Sequence, residues 1–307
     1  MAGSMTDVNH EDGTGTISSK MLYHAGVLGL VALVVSLFSR FLPQSFWTGG
    51  GTAPAQAFLC CITLLMAVGY LFLIRSRVKG AKWIWILFGF SVFDFIFCLI
   101  GYQRLLIAHS FNIFRTVAGF AVFMSLAIRN KGGLRIAFGA QVLAWFISIW
   151  VAVYWGIFFK PMGVVSSYMM MFLKIIGIAR SFFMLFGWMY LLYTARGNRT
   201  TDKETTAQVP WPWRVLVAFF PELVLLFYCN SIYDFGLFAI AIVAFTFGAS
   251  WPFGYVGMIL GGLAYLVFAI LVMCCKRRVT FYRLIGCGLA LLIVNAIGLV
   301  LLSHRHF

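Results

Sequence analysis

Residues 83–102 read WIWILFGFSVFDFIFCLIGY, a run of twenty residues in which Asp94 is the one charged side chain. A helix of about twenty apolar residues is long enough to cross the hydrocarbon core of a bilayer. Soluble proteins average about a quarter charged residues and rarely carry such a run. This stretch therefore predicts a membrane-spanning helix with one carboxylate near its middle.

The same apolar pattern recurs along most of the chain. Of its 307 residues, 63% are hydrophobic and 10% are charged, and the mean hydropathy is +0.97. Windows of about 19 residues mark ten candidate segments. They cover residues 21–41, 55–74, 83–102, 105–128, 136–159, 167–194, 215–230, 234–250, 254–275 and 282–302. We predict an all-α, polytopic transmembrane helix bundle with about nine to ten spans.

Short polar segments divide this bundle into four parts. Residues 1–20 form a polar N-terminal tail, which we interpret as retained rather than as a cleaved signal peptide. A six-span bundle follows at 21–194, and a cytoplasmic linker follows at 195–214. The C-terminal membrane segments occupy 215–307.

Basic residues in the short loops predict the orientation of the six-span bundle. Lys and Arg are retained on the cytoplasmic side of short loops. The basic-rich loops carry Arg75, Arg77, Lys79, Lys82, Arg129, Lys131, Arg135, Arg196, Arg199, Lys203 and Arg214. The alternate loops carry only Arg40, Arg104 and Lys160. The N-terminus is therefore predicted to be cytoplasmic.

The C-terminal third departs from this rule. Three further crossings after the linker would place Lys276, Arg277 and Arg278 on the outer side. In one interpretation a segment between 215 and 275 is re-entrant, since Pro221 and the break at 251–254 interrupt the apolar runs. In the other, ten ordinary helices are joined by a basic outer loop.

Five charged side chains fall well inside predicted spans, away from their ends, where each is costly and needs a partner or a cavity. They are Asp94, Arg115, Lys174, Arg180 and Glu222. The 1.5 Å rise per residue puts Asp94 and Arg115 at about the same depth on two helices joined by a short loop, so we predict that they pair. Glu222 could likewise meet Arg180. The five have one excess positive charge.

We interpret these five residues as a substrate-binding site for an anionic small molecule or a lipid headgroup. The alternative is that acids and bases pair only to hold the helices in register. Gly257 and Gly261, one helical turn apart, and Asn295 predict close helix packing. That packing could be internal or between subunits of a homo- or hetero-oligomer.

Other classes of function have no support in the sequence. The net charge of +15 lies mainly in short loops, so nucleic acid is not an expected partner. No nucleophile elbow, P-loop or Asp-rich pair is present, so no catalytic residue is assigned and enzyme activity is disfavoured. No spacing of Cys and His predicts a metal site, and no cofactor is expected.

The leading prediction is a small permease or transporter-like protein in contact with the lipid bilayer. A structural or assembly subunit of a membrane complex is the first alternative, and a lipid-modifying enzyme is the second. Short loops without a soluble domain favour a bacterial inner (plasma) membrane over the endoplasmic reticulum.

Overall fold

The computed structural model describes residues 17–38, 52–100, 106–154, 167–197, 208–220 and 254–303. Within these ranges the fold consists of nine α-helices and one short 3-10 helix, Ala81–Trp83, with no strand. The α-helices are α1 Ser19–Phe38, α2 Thr52–Arg75, α3 Ile84–Ile100, α4 Leu106–Arg129, α5 Gly132–Tyr154, α6 Ser167–Gly197, α7 Trp211–Ala218, α8 Gly254–Cys274 and α9 Arg278–Ser303. The predicted all-α bundle is confirmed.

Six of these helices, α1 to α6, each contain a stretch that is long and apolar enough to cross a membrane. These stretches run from 18 to 22 residues, which matches the thickness of the hydrocarbon core. They coincide with the first six predicted segments. The chain is therefore a multi-pass membrane protein, and the direction in which its N-terminus faces stays a prediction.

Both ends of the predicted linker at 195–214 are helical. Helix α6 continues to Gly197, because no residue before that glycine interrupts the helix. Helix α7 begins at Trp211, with Pro210 at its N-cap and Pro212 in its first turn. Proline is tolerated there because the missing N–H would have no intrahelical partner. The part of the linker between the two helices is therefore shorter than predicted.

Helices α1 to α6 form a closed ring in chain order. Each helix contacts the next one along the chain, and α6 returns to contact α1. The contact between α3 and α4 is the least extensive of the six. The ring is therefore thinnest between the two helices that carry Asp94 and Arg115.

Glycines allow bulky side chains to close this ring. A Cβ added at Gly29 of α1 would lie 2.4 Å from the indole of Trp188 on α6. A Cβ at Gly119 of α4 would lie 2.5 Å from the indole of Trp145 on α5. Helices can approach this closely only where a side chain is absent.

The end of the ring that carries the basic loops is tightly packed. Its core includes Leu73, Leu87, Phe123, Leu126 and Leu191, all of them almost completely buried. Leu73 lies two residues before the end of α2, and Leu87 lies one turn after the start of α3. This end of the bundle is therefore closed in the described state.

Polar contacts fix the loop between α2 and the 3-10 helix at the same end. The amide of Ser18 donates to the carbonyl of Ser76 at 3.0 Å, which holds the chain before α1 against this loop. The buried Asn130 side chain donates to the carbonyls of Lys79 and Leu126 at 2.9 and 2.8 Å. These bonds tie the ends of α1, α2 and α4 together.

Helices α7 and α8 are antiparallel and bring the C-terminal basic loop to the end of the linker. The Tyr265 hydroxyl of α8 donates to the carbonyl of Ala218 at the end of α7 at 2.7 Å. At the other end of α7, the amide of Val209 donates to the carbonyl of Lys276 at 2.8 Å. The loop at 275–277 and the start of α7 therefore lie next to each other. Several predicted features lie outside the described residues. They are Pro221 with the rest of the predicted segment 215–230, the predicted segment 234–250, and residues 251–253 of the predicted break.

Candidate functional site

Asp94 and Arg115 form an ion pair between α3 and α4, from a nitrogen of the Arg115 guanidinium to a carboxylate oxygen of Asp94. The rise per residue puts Asp94 about 15 Å from the start of α3 and Arg115 about 21 Å from the end of α4. The predicted contact is thus present, deep within the bundle. We refer to these two residues as the charged pair.

Helical register directs Asp94 toward the interior of the ring. The buried positions of α3 follow at intervals of three or four residues, and Asp94 continues their series. These positions are Ile84, Leu87, Ser91 and Cys98. The carboxylate therefore lies on the packed face of α3 rather than on its exterior.

Arg115 is held by two partners, and one of its donors has no acceptor. One terminal nitrogen contacts Asp94, and the other donates to the side-chain oxygen of Asn112 at 2.9 Å. The Nε atom is buried, and the part of the chain that the structure describes offers it no hydrogen-bond acceptor. An unpaired buried donor is costly, so its presence requires an explanation.

Tyr70 of α2 is a third member of this site and was not predicted from the sequence. Its side chain is only 4% exposed, and it interacts electrostatically with both Arg115 and Asp94. Its ring lies near the Trp188 indole, with 6.5 Å between the ring centroids. A buried tyrosine usually finds a partner for its hydroxyl. The signal available in the sequence was therefore a tyrosine inside the predicted span 55–74.

The surface around Arg115 is accessible. The Arg115 side chain is 35% exposed and the Asp94 side chain is 20% exposed. Asn112 is exposed although it shares a helical face with Thr116, Gly119 and Phe123, which are buried. The packed face of α4 is therefore buried at Thr116 and accessible at Asn112. The accessible part lies beyond the charged pair, at the end of the ring opposite the basic loops.

Arg180 does not join the charged pair through any contact that the structure establishes. Its side chain is partly buried on α6, a helix whose ring neighbours are α5 and α1. It shares a helical face with Met184 and Gly187. That face contacts α5, where the Gln141 amide donates to the carbonyl of Met184 at 3.1 Å. Register therefore directs Arg180 toward α5.

The structure describes no side-chain contact for the remaining predicted site and packing residues. Lys174 lies on α6, but its side chain is outside the described part of the structure, and Glu222 lies outside the described residues altogether. Gly257 and Gly261 lie on α8 and Asn295 lies on α9, yet their packing is also outside the described part. Of the five charged residues, the structure thus brings together Asp94 and Arg115.

No family model, curated protein or solved structure matches the chain. The function must therefore be argued from the site. Within the described ranges, Asp94 is the only acidic residue. The site combines the guanidinium of Arg115, the carboxylate of Asp94, the carboxamide of Asn112 and the phenol of Tyr70. Together these groups can bind an anion and exchange a proton.

Proposed function

We propose that this protein is a small permease whose substrate path runs past the charged pair. The observation that carries the proposal is the accessible ion pair deep inside a ring of six membrane-spanning helices. A charged residue at the centre of a span costs about 2.5–3.5 kcal/mol on insertion scales. Such residues commonly mark substrate or ion pathways.

The exposure of the charged pair favours a path over a purely structural role. A buried ion pair adds little net stability, because desolvation offsets the attraction between the charges. A pair that only joined α3 and α4 would also have no need for an accessible Asn112 beside it. A solute that reached Asn112 would be next to the Arg115 guanidinium.

The uneven packing of the ring supports alternating access. The end with the basic loops is closed by fully buried leucines and phenylalanines. The contact between α3 and α4, in contrast, is the least extensive in the ring. Transport would require the closed end to open while the accessible side closes, as in other transporters with a site near the midplane. The α3 and α4 contact is where such a movement would break the least packing.

The substrate proposed for this path is a small anion. Arg115 is an always-charged group with donors in a planar arrangement, which suits carboxylate and phosphate groups. An anionic lipid headgroup offers the same oxygens as a free anion, so both sources are part of the test.

The test is flux in proteoliposomes that contain the purified protein. We expect uptake of at least one small carboxylate or phosphate, or movement of an anionic lipid between leaflets. Asp94→Asn and Arg115→Gln should each reduce it by more than tenfold. Arg135→Gln, which removes an exposed charge at the end of the ring, is the matched control and should retain it.

Two results would oppose the proposal. Normal flux in both site variants would show that the charged pair lies outside the path. No flux of any kind, together with a partner that copurifies in fixed stoichiometry, would favour the assembly-subunit alternative instead. Monodisperse elution in detergent checks that each variant is folded.

A further inference from the structure

We infer that the charged pair takes up one monovalent oxyanion together with one proton, the anion at the Nε edge of Arg115 and the proton on Asp94. This inference rests on the proposed function and names its substrate class. It follows from two features of the site, the unpaired donor of Arg115 and the balance of charge around Asp94.

The unpaired donor defines where the anion binds. The terminal nitrogens of Arg115 contact Asp94 and Asn112, whereas Nε is buried and has no acceptor among the described residues. Because Nε has no exposed surface in this state, an anion reaches it only after the side chains that cover it move. The Nε–H and the adjacent terminal N–H lie in one plane and match two oxygens of a carboxylate, sulfonate or phosphate. A halide has no second acceptor atom for this arrangement. The site should therefore prefer oxyanions to chloride.

The balance of charge requires a proton. Asp94 and Arg115 together carry no net charge, and Tyr70 is the titratable group that faces them from α2. Arg180 of α6 has an interaction of its own and shares a helical face with residues that contact α5. Counted over Asp94, Arg115 and Tyr70, an added anion would leave one uncompensated negative charge in a medium of low dielectric constant.

Protonation of Asp94 removes this excess charge and frees Arg115. A carboxylic acid no longer competes as an anion for the guanidinium, so the incoming oxyanion becomes its counter-ion. The proton comes from the water phase from which the anion enters and leaves with the anion on the other side. One anion and one proton cross in each cycle, and no net charge moves.

The experiment uses proteoliposomes of the full chain loaded with a pH-sensitive dye and given an inward gradient of methanesulfonate. This anion is a strong acid's conjugate base, so it cannot itself carry a proton through the bilayer. Lactate, dihydrogen phosphate and chloride are tested in parallel. A potassium gradient with valinomycin sets the membrane potential.

We expect methanesulfonate entry to acidify the lumen by one proton per anion. A potential of about 60 mV should leave the accumulated anion ratio unchanged, whereas a carrier that moved one net charge would change it about tenfold. Asp94→Asn should retain less than a tenth of the anion flux, and this residual flux should carry no proton signal. Asp94→Glu should restore both. Arg115→Gln should abolish both, and Arg135→Gln should retain both.

The outcomes separate this inference from the proposed function. Oxyanion flux that follows the membrane potential without acidification overturns the inference and leaves the permease in place. Chloride flux equal to that of the oxyanions overturns the assigned role of the Nε edge. No flux of any anion overturns both. Movement of an anionic lipid alone, without a free anion, also overturns the inference.

Discussion

The indole of Trp188 on α6 lies directly over Gly29 of α1. A Cβ at Gly29 would come within 2.4 to 2.6 Å of three ring atoms of that tryptophan. The same indole lies near Tyr70, which interacts electrostatically with both members of the charged pair. The contact that closes the ring is thus continuous with the packing that supports the site.

Gly29→Ala should destabilise the protein by about 1–3 kcal/mol, because a methyl group at this position cannot fit without displacing the indole. Gly89→Ala on α3 is the matched control, since no atom lies within 4 Å of a Cβ there. It should be neutral or stabilising by up to about 1 kcal/mol, as glycine is a weak helix former. Thermal unfolding in detergent measures both. Equal melting temperatures would show that the indole does not occupy this position.

Tyr70→Phe should preserve the fold and weaken substrate binding. The ring keeps its packing, while the hydroxyl that interacts with both charges is lost. A hydroxyl that donates to a bound anion contributes about 0.5–1.5 kcal/mol, so the KM for the anion should rise about two- to tenfold. Tyr282→Phe, at an exposed position, is the control. An unchanged KM with normal stability would place Tyr70 outside the site.

Arg115→Lys should separate charge from geometry. Lysine retains the positive charge opposite Asp94, but its ammonium group lacks the planar pair of donors. We expect affinity for oxyanions to fall at least about tenfold and the preference for oxyanions over chloride to disappear. Competition between the two anions in the flux assay measures this preference. A lysine variant with full oxyanion preference would contradict the role of the guanidinium plane.

The basic loop at 275–277 should be accessible from the same side of the membrane as the loops at 76–80 and 129–131. The amide of Val209 contacts the carbonyl of Lys276 at the start of α7, which fixes this arrangement. We would introduce Arg77→Cys, Lys131→Cys and Lys276→Cys singly into a chain without its seven native cysteines. A membrane-impermeant thiol reagent should label all three from one side, the cytoplasmic side if the loop charges set the orientation. Labelling of Lys276→Cys from the opposite side alone would contradict the structure.

The sequence predicted the six ring helices and the contact between Asp94 and Arg115. Long apolar runs determine which segments span the membrane, and a short loop places α3 and α4 next to each other at matched depth. The side of the 275–277 loop was left open, because counting crossings does not reveal which segments cross fully. The hydrogen bond between Val209 and Lys276 places this loop beside the start of α7, and the number of crossings after the linker stays a prediction.

The sequence did not predict how the charges are distributed around the ring. The rise per residue predicted how deep in the membrane Arg180 lies, but not toward which neighbouring helix its side chain points. That direction depends on the neighbours of α6, which are α5 and α1. Whether Arg180 shares a site with the charged pair therefore stays a prediction. Tyr70 was missed because a tyrosine on an apolar face has the same pattern as a core aromatic residue.

The central claim is that water-soluble anions reach the charged pair, and reaction of a cysteine at position 112 tests it most directly. Asn112→Cys lies on the face of α4 that carries the buried Thr116, whereas Phe114→Cys, at a position that is 68% exposed, lies on the outer face. Both variants are made in the chain without native cysteines, and a charged thiol reagent is applied from the side away from the basic loops. The reagent should modify Asn112→Cys and spare Phe114→Cys. A transported anion should slow the reaction at Asn112→Cys. An unreactive Asn112→Cys, with the protein folded and the reagent active on a loop cysteine, would contradict the account.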